Sequence, residues 1–243
     1  MLIVAYDGTD FHGWQLQPGV RTVESELNKA ISQLVKSDIS VIGASRTDTG
    51  VHAKGNVAVF DTVSTIPAEK FAYALNTILP EDVKIQKSLA VADDFHPRHC
   101  NSVKTYEYRI YSGEFPNPLK RRNSFYTYYK PDISKMQEGA SYLVGEHDFK
   151  SFCCVRTQAE TTVRRIYNIS VTEDEDEICI RVSGNGFLYN MVRIIAGTLL
   201  EVGRGKYPPS YIKEMLEAAN RCAAGPTAPP EGLCLCGIEF IDL

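Results

Sequence analysis

The stretch Ser45-Arg46-Thr47-Asp48-Thr49-Gly50-Val51-His52-Ala53 offers the strongest candidates for covalent chemistry in this chain. It is polar, falls between two predicted strands, and sets a carboxylate two residues from an arginine. Asp followed by Thr-Gly is also ordinary turn chemistry, because aspartate caps its own downstream amide and glycine supplies positive φ. A carboxylate that acts as nucleophile or base needs more: shelter from water, and a cation that keeps it ionised there. Arg193 is the candidate cation. It lies on a predicted helix, Phe187–Val202, spaced with Gly186, Asn190 and Gly197 on the face opposite the main apolar positions. Small neighbours would let its guanidinium reach into a cleft, although a solvated surface arginine has the same pattern. Gly184 and Gly186 precede that helix, where free amides could meet a phosphate; a helix-breaking loop explains them equally well.

Tyr106 and Tyr108 alternate on one strand face, either as packing residues or as a stacking platform for an unpaired base. Lys120-Arg121-Arg122 followed by Phe125, Tyr126, Tyr128 and Tyr129 interleaves cations with aromatic rings in the same manner. The net charge of −4 does not exclude a nucleic-acid partner, because Glu173 to Glu177 alone contributes −5 and the remainder is weakly positive. Phosphates respond to local potential rather than to the global sum.

The seven cysteines form no C-x2-C pair, and His12 and His52 lack companions at ligand spacing. Reduced thiols and no metal are therefore expected. Met1 to Phe11 has neither the basic start nor the long apolar core of a signal peptide, and no apolar run is long enough to span a bilayer. These features point to a cytoplasmic protein without a membrane partner.

The elements that must position these residues follow from periodicity. Leu2 to Tyr6, Ile39 to Ala44, Asn56 to Phe60 and Val83 to Val91 read as strands, with helices over Val23–Val35 (capped by Thr22) and Pro67–Ile78. Further strands cover Tyr106 to Ile110, Ile166 to Thr172, Ile178 to Val182 and Leu233 to Phe240. Helices are expected from about Asp132 to Val144, over Phe187–Val202, and from Pro209. The acidic run marks a solvated hairpin turn. This mixture predicts an α/β (α+β) protein of mostly antiparallel sheets covered by helices, with subdomains 1–100 and 101–243.

Six ordered motifs give the chain a family resemblance. They are Tyr6-Asp7-Gly8-Thr9 with Phe11, Gly13, Trp14 and Gln15; Arg46-Thr47-Asp48-x-Gly50-Val51-His52-Ala53; Lys104-Thr105-Tyr106-x-Tyr108; Gly145-x-His147-Asp148-Phe149; Gly186-Phe187-Leu188-x-x-Met191-Val192-Arg193; and Ala228-Pro229-x-x-Gly232-Leu233-x-Leu235. Over nearly its whole length the chain resembles the tRNA pseudouridine synthase A (TruA) family, with Ser45 standing where that family more often has glycine.

The resemblance implies two subdomains related by a pseudo-twofold with an active-site cleft between them, a homodimer, and no cofactor. It implies isomerisation of uridine to pseudouridine at positions 38, 39 and 40 of the tRNA anticodon stem-loop. By the same resemblance Asp48 is the catalytic carboxylate, Arg193 its pairing cation, and Tyr106 the residue that stacks on the base and assists proton removal. Leu233 would pack against the flipped base, and Arg46 would contact the RNA backbone or fill the vacated stack. Two rival readings are a non-catalytic RNA-binding protein and a hydrolase using Asp148 as a second carboxylate.

Overall fold

The computed structural model describes residues 1–154 and 159–241. The chain divides into two compact units, the first being Met1–Ser102 with a return segment from Leu235, the second Val103–Cys234. Both are mixed α/β, and the pairings among the first nine strands are antiparallel with one exception, noted below.

In the first unit β1 (Leu2–Tyr6) is followed by α1 (Val23–Val35), β2 (Ile42–Gly43), β3 (His52–Val59), α2 (Phe71–Asn76) and β4 (Val83–Ser88). Strand β1 lies between β3 and β4, and β2 pairs with the far end of β3. Helix α1 starts where the sequence predicts, because Thr22 accepts the Ser25 amide while the Ser25 hydroxyl accepts the Thr22 amide. That reciprocal cap satisfies two otherwise orphaned donors. Val23, Leu27, Ala30 and Ile31 form the buried stripe.

The predicted helix over Pro67–Ile78 is instead a 3-10 turn, Ala68–Lys70, running into the shorter α2. Its end is drawn onto β4 by Asn76, whose side chain donates to the Ile85 carbonyl at 2.9 Å and accepts the Ile85 amide at 2.8 Å.

The second unit contains β5 (Ser102–Ser112), β6 (Phe125–Thr127), α3 (Ile133–Ser141), β7 (Gly145–Asp148), β8 (Val163–Asp174), β9 (Glu177–Gly184), α4 (Met191–Gly203) and α5 (Tyr211–Glu217). Its strands run in the order β5-β9-β8-β7, with β6 as the parallel exception on β5. Helix α4 is buried on almost every side, including Ile194, Ile195, Ala196, Leu199 and Val202. The last strand, β10 (Leu233–Phe240), begins in this unit and from Leu235 belongs to the first, where it lies beside β3.

Among the described residues no helix is long and apolar enough to cross a membrane.

Candidate active site

Asp48 sits, half-buried, in a tight loop between β2 and β3. The loop is shorter than the sequence implies, because β3 begins at His52 rather than at Asn56. Its conformation is imposed by the N-terminal motif. The Thr47 carbonyl accepts the Trp14 amide at 3.1 Å, and the Phe11 carbonyl accepts the Gly50 amide at 3.2 Å. The Thr47 hydroxyl lies 2.7 Å from that of Tyr6. Asn56, wholly buried in β3, donates to the Ser45 carbonyl at 2.9 Å and to the Tyr6 hydroxyl at 3.3 Å. Backbone on both sides of Asp48 is thus fixed before any substrate arrives.

Glycines make this interlock possible. A Cβ on Gly8 would fall 2.0 Å from the Val51 carbonyl oxygen, and one on Gly13, whose φ is +86°, would fall 2.7 Å from that of Thr47. The aspartate loop and the Tyr6-Asp7-Gly8 turn are therefore two faces of one structure. His52 completes it: the Gly8 amide donates to His52 Nδ1 at 3.0 Å, which leaves the ring proton of the neutral imidazole on Nε2. Among the described residues nothing accepts from that buried Nε2.

Arg193 lies on the first turn of α4 in the second unit, and its guanidinium is held rather than solvated. Its Nε donates to the Ala228 carbonyl at 2.7 Å, and Nη1 donates to Asn190 Oδ1 at 2.9 Å. The Ala228 amide in turn donates to the Arg193 carbonyl at 3.1 Å. Asn190 adopts left-handed φ (+61°), a conformation that asparagine tolerates better than most side chains. That residue ends the loop and starts the helix, so α4 begins at Met191 instead of Phe187. Gly184 and Gly186 accordingly lie ahead of an irregular loop and not at the helix mouth. Gly197 does not open a cleft either; it admits the Pro226 carbonyl, from which a Cβ would stand only 2.0 Å away.

Tyr106 is buried on β5, with its ring edge-on to Phe187 at 5.2 Å between centroids. Two residues along, the Tyr108 hydroxyl donates to the Pro229 carbonyl at 2.8 Å. Burial, with the negative charge of Glu231, pushes the Tyr108 pKa far above that of an ordinary tyrosine, and Arg193 opposes the shift only in part. Tyr108 is therefore a fixed donor. Gly232 packs against the Tyr108 ring, where a Cβ would meet it at 2.7 Å, and Leu233 follows, buried at the start of β10. The motifs around Tyr106, Arg193 and Ala228–Leu233 form one assembly within the second unit.

Other candidates fall outside these assemblies. Arg46 is exposed beside Thr47. Asp148 is exposed, and its carboxylate accepts the Lys150 amide at 3.0 Å as a turn cap. The basic segment is partly neutralised by the acidic hairpin, which is not simply solvated: Lys120 reaches Asp176 at 2.6 Å, Lys130 reaches Glu173 at 2.8 Å and Arg109 reaches Glu177 at 3.1 Å. Arg121 and Arg122 stay exposed. The seven cysteines are thiols, and burial raises the pKa of Cys153 and of Cys179, disfavouring their thiolates.

The two braced assemblies draw on the same motifs that carried the sequence resemblance, and comparison with known proteins defines the class. The sequence profile described as tRNA pseudouridine synthase matches residues 2–99 and 140–240, and the chain belongs to that family. Individual relatives carry a more particular name, tRNA pseudouridine synthase A. One from Bacillus subtilis is 46% identical over 98% of this chain and 97% of its own length. Another, from Bacillus pumilus, is 48% identical over 96% and 95%. A third, from Acetivibrio thermocellus, is 45% identical over 98% of both chains. Among solved structures, a chain of a Cbf5-Nop10-Gar1 complex aligns at 14% identity and a TM-score of 0.30 over 98% of this chain and 56% of that one, too loosely to carry weight.

Proposed function

We propose that this chain converts uridine to pseudouridine at positions 38, 39 and 40 of the tRNA anticodon stem-loop, with Asp48 as its catalytic carboxylate. The observation that carries this reading is the bracing of Asp48. Its neighbour Thr47 is held through both backbone and hydroxyl, and Gly50 is held on the other side. A turn aspartate with only a capping role would not require Gly8, Gly13, Trp14 and Tyr6 to be built around it.

The reaction breaks the N1–C1′ bond, turns the uracil, joins C5 to C1′, gives up the C5 proton to solvent and takes one up at N1. Atoms are conserved and no redox change occurs, so the chemistry calls on no cofactor. Asp48 acts as the nucleophile towards the ribose or as the base that begins a glycal route. Either role needs its carboxylate form, which exclusion of water disfavours unless a cation compensates. Arg193 supplies that counter-charge, its direction preset by Asn190 and Ala228. Tyr106 stacks on the extruded base and assists removal of the C5 proton, a task closed to Tyr108 by its bond to Pro229. Leu233 packs against the base, and Arg46 contacts the RNA backbone or replaces the departed base. Unstacking costs a few kcal/mol, which such contacts offset. The enzyme works as a homodimer in the cytoplasm, where its tRNA substrate resides.

The test is release of tritium from 5-tritiated uridine in an unmodified tRNA transcript. Wild-type protein releases one tritium per modified site, while Asp48→Asn and Asp48→Ala release none and still bind tRNA. Turnover by Asp48→Asn would refute the assignment, and free uracil in place of pseudouridine would make the protein a hydrolase.

A further inference from the structure

Arg164 stands apart from the residues assigned above. It is the second residue of β8, opposite His147 of β7. Its side chain curls back so that Nη1 donates to the Thr161 carbonyl at 2.9 Å and to the Val163 carbonyl at 2.6 Å. Those two bonds use both hydrogens of Nη1. The Nε–H and both hydrogens on Nη2 remain, and they form the flat edge with which a guanidinium takes an oxyanion in two parallel bonds.

Among the described residues no carboxylate pairs with that edge. Its neighbours in the same sheet are matched by carboxylates instead: Arg109 and Arg181 share Glu107, and Arg165 faces Glu146 at 3.8 Å. Arg164 is half-buried, and burial presses against its charged form, opposed only in part by the neighbouring Cys153 thiol and by no carboxylate. An uncompensated, partly desolvated cation is costly, and the fold retains it. The neighbouring backbone leaves access to it: at Gly186 a Cβ would stand 3.7 Å from Arg164 Nε and 3.8 Å from Cδ, so the absent side chain leaves that flank uncovered. The same loop continues into Phe187, whose ring meets Tyr106.

We propose that the Nε–Nη2 edge of Arg164 binds a backbone phosphate of the RNA substrate, positioning the strand beside the loop that carries Phe187. The site takes a phosphodiester oxyanion, which accepts both hydrogen bonds and supplies the counter-charge the fold omits. A lysine would provide charge without the planar fork and so would replace it poorly. The inference rests on tRNA being the substrate, but not on the role of Asp48.

The test uses synthetic anticodon stem-loop RNAs that carry a single methylphosphonate at successive linkages, with wild-type protein, Arg164→Gln and Arg164→Lys. For Arg164→Gln, KM rises about ten- to a hundredfold with kcat within about twofold, as expected on removing a charge-assisted bidentate pair. The slope of log affinity against log salt falls by about one. One methylphosphonate position weakens wild-type binding and leaves Arg164→Gln unaffected, and Arg164→Lys recovers part of the salt slope but little of the affinity. The proposal is overturned if both variants keep the wild-type KM. It is equally overturned if KM rises while the salt slope and the methylphosphonate profile stay unchanged, since Arg164 would then only brace Thr161 to Val163. Failure of the wild-type protein to form pseudouridine would instead strike at the proposed function.

Discussion

The hydroxyls of Tyr6 and Thr47 lie 2.7 Å apart in the interior of the first unit, one from the end of β1 and the other from the residue preceding Asp48. Through this pair the first strand of the chain sets the position of a carboxylate more than forty residues away. Tyr6 adds a second tie by accepting from Asn56, so a single phenol serves both flanks of the loop.

Replacing Tyr6 with Phe should therefore affect geometry before stability. The ring keeps its packing, while the Thr47 hydroxyl and the Asn56 amide are deprived of a partner, at a cost of about 1–3 kcal/mol in a buried setting. Because a misplaced catalytic group loses rate steeply, kcat should fall about ten- to a hundredfold with KM for tRNA nearly unchanged. Single-turnover rates on a tRNA transcript, with a melting curve alongside, check this. A fall in KM-limited rate alone would place the defect in binding.

The basic segment makes a sharper prediction than its composition did. Lys120 is occupied by Asp176 and lies over the Tyr111 ring. Its neutralisation should barely change the salt dependence of tRNA binding. Replacing the exposed Arg121 with Ala should lower the slope of log affinity against log salt by up to about one if a phosphate is left without its cation. Asp176→Asn should move in the opposite direction by releasing Lys120. Filter binding across a salt series measures all three.

Acid stability should report on the cap of α3. Asp132 accepts the Lys135 amide at 3.1 Å, and this bond, helped by the Lys135 ammonium, holds its carboxyl below the usual carboxylate range. A depressed folded pKa means that the unfolded chain binds the proton more readily. The cap therefore contributes fully above a pH of about 4 and fades as pH falls through its lower folded value. Thermal melts between about pH 2 and 7 should show a shallower acid-side decline for Asp132→Asn, which keeps an acceptor oxygen but does not titrate.

Much of this was legible because the local signals agreed with the fold. Thr22 and the stripe Val23-Leu27-Ala30-Ile31 define α1 in sequence as they do in space. The start of β3 was hidden because His52, Ala53, Gly55 and Asn56 are all buried, which removes the alternation of a half-exposed strand. Asn190 hid the start of α4, since Phe187 fits the helical apolar pattern and only the left-handed φ at Asn190 breaks it. The roles of Gly8, Gly197 and Gly232 depend on backbones brought close by tertiary structure, a relation no local pattern expresses. The pairing of the acidic hairpin with Lys120, Lys130 and Arg109 likewise joins segments that composition treats separately.

The left-handed turn at Asn190 gives a way to separate aim from fold. Asn190→Gly relieves the backbone conformation, whereas Asn190→Ala keeps a Cβ in it, and both remove the oxygen that accepts from Arg193 Nη1. In a left-handed position alanine costs about 1 kcal/mol more than glycine, so the two variants should differ in melting temperature. Their catalytic defects should nevertheless match, each with kcat about tenfold lower and tRNA affinity retained, because each removes the Asn190 acceptor from Nη1 while the Ala228 carbonyl still holds Nε. Asn190→Asp, which restores an acceptor but adds a charge beside the guanidinium, should bind Arg193 more tightly and offset more of its charge, lowering kcat further. Equal kcat in wild type and Asn190→Gly would show that the orientation of Arg193 is set without this hydrogen bond.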